Sequence, residues 1–187
     1  MHPAVHLSPS LLLGLLLPLP AQADLNVALS YQYYGVGQPA GMPLLQALDR
    51  ATPIRENGQV FHGHAQWNIQ WNYRWHQQPD GRCQLTQNNT TLSAKVTLPE
   101  LRQAEPAAKR AFAPYFEALR LHELGHVDLA RIAARKIDAA ILALPQMDSC
   151  TQLEQSANQE GPGSVDIGFT DRVSPLWGLT QGAKRAA

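Results

Sequence analysis

Two segments of the chain carry clear but different hydrophobic periodicities. In residues 61–76 the pattern alternates strictly between apolar and polar positions, and the apolar face holds Ala65, Trp67, Ile69, Trp71, Tyr73 and Trp75. A period of two predicts an antiparallel strand with one face on the core. The sequence Pro79-Asp80-Gly81 then predicts a turn. Residues 82–98 alternate again, so the two segments are predicted to form a long hairpin.

Residues 107–144 follow a helical period instead. At about 100° per residue, one apolar stripe is formed by Phe112, Phe116, Leu119, Ala130, Ala133, Ala134, Ile137, Ile141 and Leu144. Charged side chains fall on the opposite side. Pro106 suits a first helical turn, Pro114 suits either a second helix start or a kink, and Pro145 ends the pattern. The stretch therefore predicts one long helix packed against the hairpin.

The remaining elements are shorter. Residues 25–36 are rich in Tyr, Val and Leu and predict a strand, whereas residues 43–50 and 148–158 predict helices. From about residue 159 the chain is rich in Gly, Pro and Ser and predicts an irregular tail. The predicted fold class is α+β, with an antiparallel sheet beside a long helix.

The N-terminal segment predicts export. An apolar run over residues 11–20 precedes Ala21-Gln22-Ala23, which is the pattern of a signal-peptide cleavage site. The run is too short to anchor the chain in a membrane. Residues 1–23 are therefore interpreted as a signal peptide, and residues 24–187 as a single periplasmic or secreted domain with no membrane span.

Charge and cysteine content narrow the functional classes. The chain has 15 basic and 15 acidic residues, so nothing favours nucleic acid or an anionic membrane as a partner. It has two cysteines, Cys83 and Cys150. In an exported protein these predict one disulfide, with two free thiols as the alternative.

The motif His122-Glu123-Leu124-Gly125-His126 carries the candidate chemistry. Two imidazoles at i and i+4 share one helix face, which suits them to bind one zinc ion. Glu123 lies beside them and can accept a proton from a water whose pKa the metal has lowered. Composition predicts roughly 0.01 such matches in a chain of this makeup. All three side chains project from the apolar side of the helix, where buried polar groups need partners. The alternative is a pair of hydrogen-bonded core histidines with Glu123 in a salt bridge.

A third metal ligand has to come from outside the motif, because catalytic zinc usually takes three protein ligands and one water. Asp171 is the first candidate, since it lies in a polar tail and offers carboxylate oxygens; its alternative role is to cap a turn. His62 and His64 are the second, provided that their strand passes the helix; otherwise both face solvent.

The order of these features resembles a bacterial family of exported proteins, domain-of-unknown-function family 922, described as predicted secreted zinc-dependent proteases. The matching features are the Tyr-rich first strand, the alternating strand at 67–73, Gly81-Arg82-Cys83, the motif at 122–126, Cys150, and Thr180-Gln181-Gly182-Ala183. The family pattern places an Asp and a His-Gly pair before the terminal Gln-Gly-Ala. Here Asp171 and Trp177-Gly178 stand at that place. The resemblance implies a zincin-like fold and a bound metal.

Together these features predict a zinc-dependent hydrolase of the cell envelope. The expected cofactor is Zn²⁺, the substrate is a peptide or protein, and Glu123 is the general base. One alternative is a non-catalytic binding or scaffold protein with a structural or vestigial metal site. Another is a plain exported domain in which the motif arises by chance.

Overall fold

The computed structural model describes residues 23–56 and 58–163. Their elements in chain order are β1 (Ala23–Gly37), α1 (Leu44–Ala51), β2 (Arg55–Glu56), β3 (Gln59–Val60), β4 (His64–Gln77), β5 (Cys83–Gln103), α2 (Pro106–Leu142) and α3 (Cys150–Gly163). Apart from Ala23, the predicted signal peptide lies outside the described residues. So do Asp171 and the tail beyond Gly163. The α3 helix extends past residue 159, where the irregular tail was expected to begin.

The long hairpin is confirmed. Strands β4 and β5 pair antiparallel from His64↔Thr97 to Gln77↔Cys83. Gly81 takes a positive φ of 89° in the turn, a conformation that glycine adopts without steric cost. The alternation of β4 also has the expected consequence. Its apolar face is buried or partly buried against the core, and Ile69 and Trp71 are fully buried.

The sheet is mixed, so the prediction of an antiparallel sheet is wrong for one of its two pairings. Strand order is β1-β5-β4, and β1 pairs parallel with β5, for example at Leu25↔Thr90 and Tyr33↔Leu98. The segment between β1 and β4 contains α1 and the small β2–β3 hairpin, which is long enough to let β1 lie beside β5 in the same direction. The broader α+β class is confirmed.

The long helix is confirmed as one continuous element that contains Pro114. Pro114 therefore does not start a second helix. It lies at an exposed position, so the carbonyl of Arg110, which loses its helical hydrogen-bond partner, can be hydrated. At 1.5 Å per residue, the 37 residues of α2 extend for roughly 55 Å. None of the helices in the described ranges has both the length and the apolarity needed to cross a bilayer.

The C-terminal half of α2 packs on the sheet through small residues. Ala130, Ala133 and Ala134 lie with Ile137 and Ile141 in the main buried cluster, opposite β4 and β5 side chains. Alanines bring the helix axis close to the sheet, so this part of α2 has a fixed position. A second cluster continues towards the motif, where Val127 of α2 packs with Ala65 of β4.

The disulfide prediction is confirmed. Cys83 and Cys150 are bridged across a sequence separation of 67, with their Cα atoms 5.0 Å apart. Cys83 also exchanges two backbone hydrogen bonds with Met147. The first residue of β5 is thereby tied to the start of α3, next to the hairpin turn.

Candidate metal centre

The two histidines of the motif converge on one point. Both lie on α2, with their ring centroids 4.8 Å apart and their planes at 88°. The Nε2 atom of His122 is 3.2 Å from the Nε2 atom of His126. Two imidazole nitrogens that bind one tetrahedral zinc at about 2.0–2.1 Å would be about 3.3 Å apart. The pair therefore fits the ligand spacing of zinc.

The other nitrogen of His126 is buried. Its Nδ1 atom has no hydrogen-bond partner in the described part of the chain. Burial lowers the pKa of the His126 imidazole, and the nearby His122 and His64 lower it further. The ring is therefore held in its neutral form, which is the form that binds metals.

Glu123 is the buried member of the motif, with an exposed fraction of only 5 %. The backbone N–H of Ala65 donates a hydrogen bond to its carboxylate. Burial raises the pKa of the Glu123 carboxyl, although the nearby His122 opposes the shift. Within the described residues Glu123 forms no salt bridge with Lys or Arg. The predicted alternative, a structural ion pair, is therefore not formed with those residues.

Gly63 forms the wall against which Glu123 lies. A Cβ atom added to Gly63 would be 2.6 Å from Glu123 Oε1 and 2.9 Å from its Cγ. Both distances are shorter than any normal van der Waals contact. The carboxylate can occupy this position only because residue 63 has no side chain.

His62 neither faces solvent nor is free to bind a metal. Its Nδ1 atom is 2.5 Å from Tyr115 Oη, and its Nε2 atom is 2.8 Å from Asp49 Oδ1. In the neutral ring, Nε2–H donates to the carboxylate and Nδ1 accepts the phenol proton. Its backbone carbonyl accepts a further hydrogen bond from Tyr34 Oη at 2.9 Å. His62 is therefore a fixed link between α1, α2 and the start of β4.

His64 has a different environment. It is the first residue of β4 and partly exposed, and it lies between Gly63 and Ala65, which both contact Glu123. It is close enough to His126 to affect the charge on that ring. Asp171, the first candidate for a third ligand, lies outside the described residues. Among those that are described, no group of three His, Cys, Asp or Glu side chains is gathered closely enough to hold a metal ion.

The sequence motif did not identify the residues that surround it. Tyr115 precedes His122 by seven residues, which at about 100° per residue places both on nearly the same helix face. That spacing was a usable signal. Gly63 gave none, because its role depends on a contact with a residue 60 positions further along the chain.

A buried polar network on α2 was also missed. Asp138, with 3 % exposure, accepts hydrogen bonds from Asn88 Nδ2 at 2.6 Å and Thr90 Oγ1 at 2.8 Å. The periodicity of α2 had placed Asp138 on the charged side of the helix. It is buried there because β5 presents two neutral donors to its carboxylate.

Comparison with known proteins gives one match. No curated protein and no solved structure matches the chain. Residues 31–164 match a family of bacterial proteins of unknown function, DUF922. The matched region includes the motif on α2, both cysteines and the first turn of β4, and it covers well over half of the chain. The chain therefore belongs to the DUF922 family.

Proposed function

We propose that this protein is an exported, zinc-dependent hydrolase that cleaves peptide bonds, with His122 and His126 as metal ligands and Glu123 as general base. The observation that carries the proposal is the 3.2 Å separation of the two Nε2 atoms on one turn of α2, next to a buried carboxylate. A structural histidine pair does not require the buried glutamate. A hydrolytic site requires all three groups.

The roles of the residues follow from their positions. Zinc, when bound, would polarise a carbonyl group and lower the pKa of a water molecule. Glu123 would accept the proton from that water and pass it to the leaving amide nitrogen. Its carboxylate is held by the Ala65 N–H and by contact with Gly63, so it is oriented before substrate arrives. His126 would bind the metal as the neutral ring that its burial favours.

The sheet supports a peptide as the substrate class. Strand β4 is the last strand in the order β1-β5-β4, so its outer edge pairs with no other described strand. The first residues of β4 lie directly at Glu123. An extended peptide that added to this edge would run past the proposed catalytic groups, and its backbone would supply the hydrogen bonds. The disulfide supports an oxidising, extracytoplasmic location.

The first test is metal content. We expect the mature, disulfide-bonded protein to bind one zinc per chain, and we expect His122→Ala and His126→Ala to lose it. His76→Ala is the matched control, because His76 is exposed near the opposite end of β4. A wild-type protein that binds no more zinc than the His122→Ala variant contradicts the proposal.

The second test is cleavage. Zinc-loaded protein is incubated with a degenerate peptide library, and new termini are identified by mass spectrometry. We expect cleavage by the wild type and none by Glu123→Gln, which keeps the shape of the side chain but cannot accept the proton. Glu123→Gln should retain its zinc. Equal cleavage by both proteins refutes the mechanism, and zinc binding without any cleavage favours the non-catalytic binding protein.

A further inference from the structure

The proposed site lacks one ligand. Catalytic zinc usually takes three protein ligands and leaves a fourth position for water. The helix supplies His122 and His126, which lie within one turn and cannot be joined by a third ligand from the same face. The missing group must therefore come from a neighbouring element. Strand β4 is the described element that contacts α2 at the motif itself.

We propose that His64 is this third ligand, an inference that rests on the proposed zinc-dependent function. The residues on either side of His64 are both in contact with α2. Gly63 lies against Glu123, and Ala65 packs with Val127 in one buried cluster. Glu123 and Val127 delimit the helical turn that carries His126. The backbone of His64 is therefore fixed beside that turn.

His64 is also the histidine of β4 that is available. Both ring nitrogens of His62 are occupied by Tyr115 and Asp49. His76 is twelve residues further along the strand, or roughly 40 Å away at about 3.3 Å per residue. The His64 ring has no side-chain hydrogen bond to another described residue. It can turn towards the two Nε2 atoms without breaking an existing hydrogen bond.

Two further observations agree with this assignment. His64 is near enough to His126 for its charge to lower the pKa of that ring, so the two side chains already share one electrostatic environment. The DUF922 match covers residues 31–164, which includes His64 and ends before Asp171. A metal site common to the family would draw its ligands from the matched region. The geometry requires that the His64 ring turn inward when metal binds.

The proposal is tested by zinc affinity, measured by competition with a chromophoric chelator on metal-free protein. We expect His64→Ala to weaken zinc binding by roughly 100-fold or more, since even changes one shell beyond the ligands typically reduce metal affinity 10–100-fold. His76→Ala should bind zinc as the wild type does. Far-UV circular dichroism and the metal-free unfolding midpoint check that His64→Ala is folded.

A second variant gives a direct spectroscopic signature. His64→Cys places a thiol at the proposed ligand position, and a thiol that coordinates a metal is deprotonated. Loaded with Co²⁺, this variant should show a near-ultraviolet thiolate-to-cobalt charge-transfer band that neither the wild type nor His76→Cys shows. A band in His64→Cys confirms that residue 64 reaches the metal, whatever the effect of alanine on folding.

The outcomes separate this inference from the proposed function. If wild-type protein binds no zinc, both fail. If zinc binding requires His122 and His126 but His64→Ala binds with wild-type affinity and His64→Cys gives no cobalt band, the third-ligand assignment fails and the metal site stands. A large loss of affinity in Asp171→Ala, with none in His64→Ala, overturns the assignment in favour of the tail.

Discussion

Replacement of Gly63 by alanine is the sharpest test of how the motif is held. An ideal Cβ at this position would be 2.6 Å from Oε1, 2.9 Å from Cγ and 3.0 Å from Cδ of Glu123. Glu123 is only 5 % exposed, so its side chain cannot swing freely into solvent. Either the carboxylate or the start of β4 must move. The backbone of Gly63 lies outside the left-handed region, so the strain comes from the added methyl alone.

The expected magnitude follows from overpacking in well-packed interiors, which typically destabilises by about 1–3 kcal/mol. In a domain of this size that corresponds to a fall in Tm of about 2–12 °C, at about 2–4 °C per kcal/mol. Gly125→Ala is the matched control. It lies in the same motif on α2, and an added Cβ would meet no atom within 4 Å. Because alanine favours helix, Gly125→Ala should instead stabilise by about 0.5–1 kcal/mol.

The assay is urea unfolding of metal-free, disulfide-bonded protein, in a double-mutant cycle with Glu123→Ala. That substitution removes all three atoms that the new methyl would meet. The effect of Gly63→Ala on the unfolded chain is the same in both backgrounds, so the cycle isolates the contact. We expect the loss caused by Gly63→Ala to fall below about 0.5 kcal/mol when residue 123 is alanine. An equal loss in both backgrounds would refute the placement of Glu123 against Gly63.

Three further predictions concern stability. In metal-free protein Glu123→Gln should stabilise by about 0.5–2 kcal/mol at neutral pH. Burial raises the pKa of this carboxyl, so the native state loses stability as the pH rises through that range; a gain that does not shrink in acid contradicts this. Replacing Cys83 and Cys150 by serine should destabilise by roughly 2–4 kcal/mol, and two thiols titrating in denatured, unreduced wild type would exclude the bridge. Thr90→Val should destabilise by roughly 1–3 kcal/mol, because the buried Asp138 carboxylate loses one of two neutral donors; an unfolding midpoint like that of the wild type would show that the donor is dispensable.

The sequence predicted the elements better than their arrangement. The alternation in β4 identified its buried face, because one-sided burial imposes a period of two on any strand. The neighbour of β1 was not predictable in this way. A strand with one buried face has the same pattern whether its partner runs parallel or antiparallel, so the pairing of β1 with β5 became known only from the register.

The candidate site divides along the same line. His122, Glu123 and His126 were predictable because their spacing within one helix is local. The clamp on His62 was not, because Asp49, His62 and Tyr115 come from three separate elements. No local pattern records which long-range partner a histidine will find. His62 was expected to face solvent or a metal, and it does neither because both ring nitrogens have protein partners.

Positions 63 and 123 together argue against a chance motif. An apolar side chain at residue 123 would fill the space beside Ala65 and Val127 without the desolvation penalty of a buried carboxylate. A larger residue at position 63 would order the start of β4 better than glycine, which loses more conformational freedom on folding. Each choice reduces stability when taken alone, yet each requires the other, because the carboxylate fits only against glycine. Paired departures from the most stable sequence are expected where side chains serve a site rather than the core. Since the third member of this arrangement, the His122–His126 pair, has the nitrogen spacing of a zinc ligand set, the three features have a single explanation in the proposed chemistry.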